Sequence, residues 1–502
     1  MSNVLLIRAD AGSRMGTGHM MRCLALGQAW QDVGGDVVFV MSSKNAWIEA
    51  RLRVGKTRVE IISAEAGSAE DALATIAKAE VLDASWIVAD GYQFNSEYQE
   101  TLKSSNREVL WIDDYGHAAP YCADIVLNQN IYASEQLYED REASTRLLLG
   151  TRYALLRREF RKWRGSKREI PKKARKILVT LGGGDPDNVT LKVIEGIERL
   201  HREGLEVRVL VGAANTHLDA LRQTCGDASK NMEILSGVND MPGLMAWANM
   251  AVSAGGSTCW EMAFMGLPNV IVVLADNQRL IAECLDKMGA SIDLGWHESV
   301  SAESVTKTLA SILDLQQQRI DMSEKGRNLV DGEGAERLCM ILKGTKLRLR
   351  LVRDEDCRRL WEWANDPQVR SASYSTEIIS WEDHVKWFDG VTSHPDCRIW
   401  IALDSKDQPV GQIRFEASGS REAKVGMSID REYRELGYGS VVIDLGAQAM
   451  FAKTATQLLH AYIRQGNEAS IRAFERSGFV EQGLETVSGV ESHHYIRGRG
   501  DE

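Results

Sequence analysis

At 502 residues the chain exceeds what one hydrophobic core sustains, and its 44% hydrophobic and 26% charged residues with only 8 prolines describe compact domains without a long disordered linker. A net charge of −11 excludes a broad basic face for nucleic acid or an anionic membrane, leaving small anionic ligands held in local pockets. The 8 cysteines fall singly, no basic-then-apolar leader opens the chain and no apolar run of about 18 residues appears, so the expectation is a cytoplasmic protein with free thiols and no membrane insertion.

From the start to about residue 160, short strands apolar on both faces alternate with helical stretches: VLLI at 4–7, DVVFVM at 36–41, VEIIS at 59–63, SWIVAD at 85–90, EVLWID at 108–113 and DIVLNQ at 124–129. The alternation predicts a parallel sheet in a doubly wound α/β domain over 1–160. Its first strand leads into RADAGSRMGTGHMMR at 8–22. A glycine loop that opens a helix aims backbone N–H groups and the positive end of the helix dipole at whatever lies above it, which makes Gly16 and Gly18 candidate substrate contacts. His19 falls in the first helical turn, at the carboxyl end of the sheet, where doubly wound folds keep their ligands. The helix terminus there favours a neutral imidazole able to accept a proton, so His19 is the candidate base, with Arg22 beside it on the substrate side.

The basic run RREFRKWRGSKREIPKKARK at 157–176 interrupts this pattern and reads as a solvated connector. Then KILVTLGGGD at 176–185, LEVRVLVG at 205–212, MEILSG at 232–237, MAVSAGG at 250–256 and NVIVVLA at 269–275 predict a second parallel sheet within 161–345. LGGGDPDN at 181–188 and SAGGSTCWEM at 253–262 each follow a strand and open a helix, two anion cradles in one lobe, as a diphosphate would require. In the latter, the amides of Gly255, Gly256 and Ser257 are candidate phosphate contacts. Glu261, one turn on, suits a ribose diol or is a solvated helix carboxylate.

From 346 to 502 the texture changes to Trp-rich helices and closely spaced strands, RIWIALD, PVGQIRFEA and AKVGMSID, a mixed α+β domain. There YRELGYGSVVIDL at 433–445 follows a strand, opens a helix and contains Arg-x-x-Gly-x-Gly at Arg434, Gly437 and Gly439, a pattern that presents successive amides to a pyrophosphate.

The opening motif, with DGY at 90–92, WIDD at 111–114, VLNQN at 126–130, LLLGTRYALLRREF at 147–160 and SAGGSTCWEM at 253–262, resembles the UDP-sugar hydrolases of pseudaminic acid biosynthesis over roughly residues 1–340. The resemblance implies two Rossmann-like lobes in the GT-B arrangement, with the nucleotide on the second. It also implies hydrolysis of UDP-2,4-diacetamido-2,4,6-trideoxy-β-L-altropyranose to free sugar and UDP, His19 activating the water, without a metal. Tyr92 and Asn277 match positions of that family's substrate site, and Glu261 falls where GT-B relatives hold the ribose.

YRELGYGSVVIDL followed by HAYIRQGNEASIRAFERSGF at 460–479 is similar to the GNAT acetyltransferases. This resemblance implies acetyl-CoA as co-substrate, lying in the splay after Met427, Ser428 and Ile429. Its pyrophosphate would rest on residues 434–440, Tyr438 and Ser440 included, with Asn467 near the pantetheine arm. WANDPQVRSASYSTEIISWEDHVKWF at 363–388 looks like the substrate-side segment of pseudaminic-pathway aminosugar acetyltransferases and of ribosomal-protein acetyltransferases. Where many GNAT enzymes carry a tyrosine as general acid, this chain has Phe474, read as a core aromatic; Tyr433 or Tyr438 are alternative hydroxyls. The joint expectation is a bifunctional enzyme that acetylates a UDP-4-amino-dideoxy sugar and then hydrolyses the product. The alternatives are a glycosyltransferase in the lobes, and a protein N-acetyltransferase or a silent acetyl-CoA-binding domain at the C-terminus.

Overall fold

The computed structural model describes residues 3–11, 17–212, 215–228, 231–344, 347–404, 407–419, 421–434 and 438–500. They divide into two compact units, Met1–Leu338 and Cys339–Glu502.

The first unit contains two parallel sheets. The first is built from β1 (Val4–Ala9), β2 (Asp36–Met41), β3 (Arg58–Ile61), β4 (Trp86–Asp90), β5 (Glu108–Ile112), β6 (Ile125–Asn128) and β7 (Arg146–Leu149), connected through α1 (Gly18–Asp32), α2 (Ala46–Val54), α3 (Ala69–Val81) and α4 (Ser96–Lys103). Their order is β3-β2-β1-β4-β5-β6-β7, all pairs parallel. Chain direction across the sheet reverses between β1 and β4, and such a switch point leaves a crevice at the carboxyl ends of its two strands. The start of α1 at Gly18 and the segment after Asp90 lie at that crevice.

The second sheet repeats the logic with β8 (Lys176–Thr180), β9 (Glu206–Val211), β10 (Met232–Ser236), β11 (Met250–Ala254), β12 (Asn269–Val273) and β13 (Ile292–Trp296). Its helices are α5 (Val189–Glu198), α6 (Leu218–Ala228), α7 (Met241–Trp247), α8 (Thr258–Met265), α9 (Arg279–Lys287), α10 (Ala302–Ile312), α11 (Gln316–Leu329) and α12 (Gly334–Gly344). The order β10-β9-β8-β11-β12-β13 reverses between β8 and β11, which places the loops after Thr180 and after Ala254 side by side. Strands β7 and β13 go beyond the sequence expectation.

The basic run at 157–176 is not a solvated connector. Phe160 is buried in the same core as Trp260 and Phe264 of α8. Arg168 donates to the carbonyls of Met265, Ala248 and Met245 at 2.9, 2.6 and 2.6 Å, and Arg164 bonds Glu336. Its arginines lay their apolar stems on the lobe and satisfy helix-end carbonyls that would otherwise be left without donors.

The second unit is one mixed sheet of β14 (Arg348–Leu351), β15 (Cys397–Leu403), β16 (Pro409–Ala417), β17 (Glu422–Ile429), β18 (Leu458–Arg464), β19 (Val480–Val487) and β20 (Val490–Gly498), in the order β14-β15-β16-β17-β18-β20-β19. Helices α13 (Cys357–Ala364), α14 (Pro367–Ala372) and α15 (Trp381–Ser393) precede β15, while α16 (Tyr438–Lys453) and α17 (Glu468–Arg476) flank β18. Val442, Ile443 and Ala447 of α16 pack on Ile413, Phe415 and Leu459 of the sheet, and Leu360, Trp363 and Phe388 cover Ile399 and Ile401. The β19–β20 hairpin was not foreseen, because β19 is an edge strand exposed along most of its length.

Candidate active site

In the first lobe Asp90, the last residue of β4, lies in register with Ala9 of β1 and so reaches the first turn of α1. Its Oδ1 is 2.6 Å from His19 Nδ1. A carboxylate at that distance keeps the ring proton on Nδ1 and leaves Nε2 with a lone pair. Burial alone would raise the Asp90 carboxyl, but the charges and hydrogen bonds of Arg22 and His19 outweigh it and hold Asp90 well below the usual carboxylate range.

The sequence expectation placed Arg22 on the substrate side; its side chain is instead spent on two carboxylates. Its Nε donates to Asp90 Oδ2 at 2.8 Å, Nη1 to Asp114 Oδ1 at 2.7 Å and Nη2 to Asp90 Oδ1 at 2.7 Å, and the side chain is buried. One guanidinium between two carboxylates leaves one surplus negative charge beside His19. Sequence reasoning missed Asp90, the last residue of β4, and Asp114, two residues beyond the end of β5.

Tyr92 donates to Asp114 Oδ2 at 2.6 Å and meets the His19 ring edge-on, 4.6 Å between centroids. From the second lobe, Asn277 Nδ2 donates to the Tyr92 hydroxyl at 2.6 Å. Tyr92 and Asn277, proposed separately for the substrate site, are therefore in contact. The glycine loops also converge here: a methyl group on Gly18 would lie 3.6 Å from Ser257 Oγ, and one on Gly183 would lie 3.2 Å from Thr17 Oγ1. Gly16 lies outside the described residues.

The two cradles of the second lobe differ. At α5, Asp185 accepts from the amides of Val189 and Thr190 at 2.8 and 2.9 Å, so that helix terminus is already filled by its own carboxylate, a correction to the sequence reading. No side chain caps α8. Gly256 has nothing within 4 Å of where a methyl would stand, and the space is open to a ligand. Gly255 serves packing instead: its amide donates to Gln278 at 3.2 Å, and a methyl there would press within 3.0 Å of the Gln278 backbone. Glu261 is not solvated; Arg157 Nη2 donates to its Oε1 at 2.7 Å. Burial raises the Glu261 carboxyl, with Arg157 opposing.

In the second unit, registered pairs between parallel β17 and β18 stop at Lys424–His460, although β17 continues to Ile429 and β18 to Arg464. The strands part there, and Met427, Ser428 and Ile429 line the opening. Peptide groups of β17 that face away from β16 have no β18 partner in this stretch, which suits a ligand carrying amides of its own. Arg434 donates from Nε to Ile429 O at 3.0 Å and from Nη1 to Asp366 Oδ1 and Gln368 Oε1 at 2.8 and 2.9 Å. Gly437 lies outside the described residues. Tyr438, Gly439 and Ser440 form the first turn of α16, where a methyl on Gly439 would make ordinary contacts with Met427 and Ala473 at 3.6 and 3.7 Å. Asn467 caps α17, its Oδ1 accepting from Ser470 N at 3.2 Å. Phe474 is a buried core ring set edge-on against Phe479. Burial pushes the Tyr433 and Tyr438 phenols up, so both retain their protons.

No helix among the described residues is long and apolar enough to cross a membrane, and no group of three or more His, Cys, Asp or Glu there is arranged to hold a metal ion.

Comparison with known proteins agrees with this architecture. Residues 177–337 match the glycosyltransferase family 28 C-terminal domain, and residues 346–480 match the acetyltransferase (GNAT) domain. The spore coat polysaccharide biosynthesis protein SpsG of Bacillus subtilis is 28% identical over 340 residues, 67% of this chain and 97% of the relative. The UDP-2,4-diacetamido-2,4,6-trideoxy-β-L-altropyranose hydrolase of Campylobacter jejuni is 23% identical over 291 residues, 58% of this chain and 98% of the relative. The putative phosphinothricin acetyltransferase YwnH of Bacillus subtilis is 31% identical over 121 residues, 23% of this chain and 72% of the relative.

Proposed function

From the premise that the chain belongs, through its C-terminal part, to the GNAT acetyltransferases and joins that domain to glycosyltransferase-28-like lobes, we propose a bifunctional nucleotide-sugar enzyme. The second unit transfers an acetyl group from acetyl-CoA to the amine of a UDP-4-amino-4,6-dideoxy sugar of the β-L-AltNAc type. The lobes then hydrolyse the resulting UDP-2,4-diacetamido-2,4,6-trideoxy-β-L-altropyranose to free sugar and UDP. The similarity to the Campylobacter hydrolase supports the substrate class.

The observation that carries the hydrolase reading is the His19–Asp90 pair, 2.6 Å apart, at the meeting of the glycine loops. UDP is a good leaving group, so the tasks are to hold a water, remove its proton and receive developing diphosphate charge. His19 Nε2 removes the proton, Asp90 fixes the ring, and the surplus charge of the Arg22 cluster offsets the imidazolium that results. The open terminus of α8, with the amides of Gly256 and Ser257, receives the diphosphate. Arg157 holds Glu261 Oε1 and leaves Oε2 for the ribose diol. In the second unit, the splay at Met427–Ile429 and the first turn of α16 take acetyl-CoA, with Asn467 beside its pantetheine arm.

The family 28 match favours a second reading, a glycosyltransferase that passes the sugar to an acceptor. Incubating His19→Ala and the parent with the diacetamido UDP-sugar and no acceptor tests both. The hydrolase reading expects free sugar and UDP from the parent, a fall of about 10²- to 10⁴-fold in the variant, and unchanged acetyl transfer. Absence of free sugar from the parent favours the transferase.

A further inference from the structure

From β17 to β19, one face of the second unit's sheet is lined with polar side chains rather than core: Glu422 and Lys424, His460 and Tyr462, His494, and Glu485. His460 belongs to the last registered pair of β17 and β18, so it stands where the strands part. Its Nδ1 is 2.9 Å from His494 Nε2, the two rings nearly parallel with 5.2 Å between centroids, and Tyr462 stacks on His494 at 4.6 Å. His494 Nδ1 lies 2.6 Å from Glu485 Oε1.

These contacts assign the protons. Glu485 keeps a proton on His494 Nδ1, which leaves His494 Nε2 to accept from His460 Nδ1–H. The one remaining lone pair of the chain is His460 Nε2. That atom is buried with no aligned hydrogen-bond partner, and Glu422 Oε2 stands 3.4 Å away, placed to pair with an N–H once one forms there. A hydrogen on His494 Nε2 as well would set two N–H groups against each other across 2.9 Å, so the place for a further proton is His460 Nε2.

We propose that the His460–His494 pair is the proton acceptor of the acetyltransferase, His460 Nε2 taking the proton that an acceptor ammonium must lose before its nitrogen can attack the thioester. The inference rests on reading the second unit as an N-acetyltransferase. In the step, R–NH3⁺ gives one proton to the pair, its freed lone pair forms the C–N bond at the thioester carbonyl, and the C–S bond breaks. The thiolate leaves and takes the second nitrogen proton, so the products are amide, thiol and one protonated imidazole pair. Glu422 and Glu485 favour that proton and Lys424, whose ammonium lies 5.6 Å from the Tyr462 ring, opposes it. The same face also carries Glu416, paired with Lys424 across β16 and β17, Arg464, which donates to Ser373 O at 2.6 Å, and Tyr374, bonded to Ser492 at 3.0 Å. Burial and repulsion from His494 push His460 below its ordinary value, against Glu422, which keeps the acceptor neutral before it is used.

The test measures CoA release by the full chain across pH with acetyl-CoA and each of three amines: the UDP-4-amino sugar, kanamycin and spermidine. His460→Asn retains an N–H toward His494 but has no basic nitrogen to take a proton. It is expected to lower kcat about 10²- to 10⁴-fold and to lose the parent's low-pH limb, with the dissociation constant for acetyl-CoA unchanged as evidence of a folded domain. Glu422→Gln, which leaves the fold's interior untouched, is expected to move that limb to lower pH, because the imidazolium loses its carboxylate. A merely structural pair would leave the limb in place. His460→Asn with more than half the parent kcat and the same limb overturns the inference. If only a plain amine is acetylated, the substrate reading fails and the comparison is made on that amine; transfer to none of the three overturns both.

Discussion

The Asp90 carboxylate lies 2.6 Å from His19 Nδ1 and accepts from Arg22 Nε at 2.8 Å, so one buried group both orients the candidate base and is itself locked by an arginine. Asn in its place keeps the shape but offers N–H where the ring needs an acceptor. Asp90→Asn should therefore lower kcat for UDP release by about 10²- to 10⁴-fold with little change in KM, since the contact matters as the proton moves. Steady-state UDP release checks this, and acetyl transfer serves as the internal control. A fall of less than about threefold would detach Asp90 from the chemistry.

A second His–Asp pair makes a pH prediction. Burial alone lowers His117, but Asp113, 3.0 Å from Nδ1, outweighs it with its hydrogen bond and charge, and the imidazole is raised above its ordinary value. Phe94 O lies 3.2 Å from Nε2, so both ring nitrogens face acceptors. A folded value raised above the unfolded one, about 6.5, gives stability that is fully present below that pH and lost as pH rises through the folded value. The stability difference between parent and His117→Gln should be largest near about pH 6 and narrow by about pH 9. Denaturant midpoints at both pH values check it, and a constant difference would contradict it.

Arg168 shows what the basic run does. Burial, with Arg327 adding its repulsion, pushes its guanidinium down to about 10, yet it remains charged at neutral pH and holds the carbonyls of Met245, Ala248 and Met265. Arg168→Met strands those carbonyls and should destabilise the first unit by about 2–4 kcal/mol. Chemical denaturation followed by tryptophan fluorescence checks this; a loss below about 0.5 kcal/mol would return the segment to the status of a connector.

The central strands were legible because parallel strands buried on both faces read as unbroken apolar runs, as in VLLI and NVIVV. Strands β7 and β19 were not: β7 is a four-residue RLLL at the sheet edge, and β19 is an exposed edge strand with no apolar run. His19 could be read from its place after a glycine loop. Asp90 and Asp114 could not be assigned, because a carboxylate at a strand end looks solvated until strand order sets it beside α1. The LGGGDPDN loop and Gly255 looked like ligand groups in sequence; only the Asp185 carboxylate on its helix terminus and the Gln278 turn reveal that they serve the protein itself. The run at 157–176 misled for the complementary reason: its partners are backbone carbonyls, which no side-chain pattern announces.

The account is tested most directly by mass spectrometry of products formed from the UDP-4-amino sugar in ¹⁸O-labelled water, with and without acetyl-CoA. Water attack at the anomeric carbon predicts that acetyl-CoA yields diacetamido free sugar carrying one ¹⁸O and unlabelled UDP, with the acetylated UDP-sugar appearing first. Label in the UDP phosphate, or no free sugar when acetyl-CoA is supplied, would contradict it.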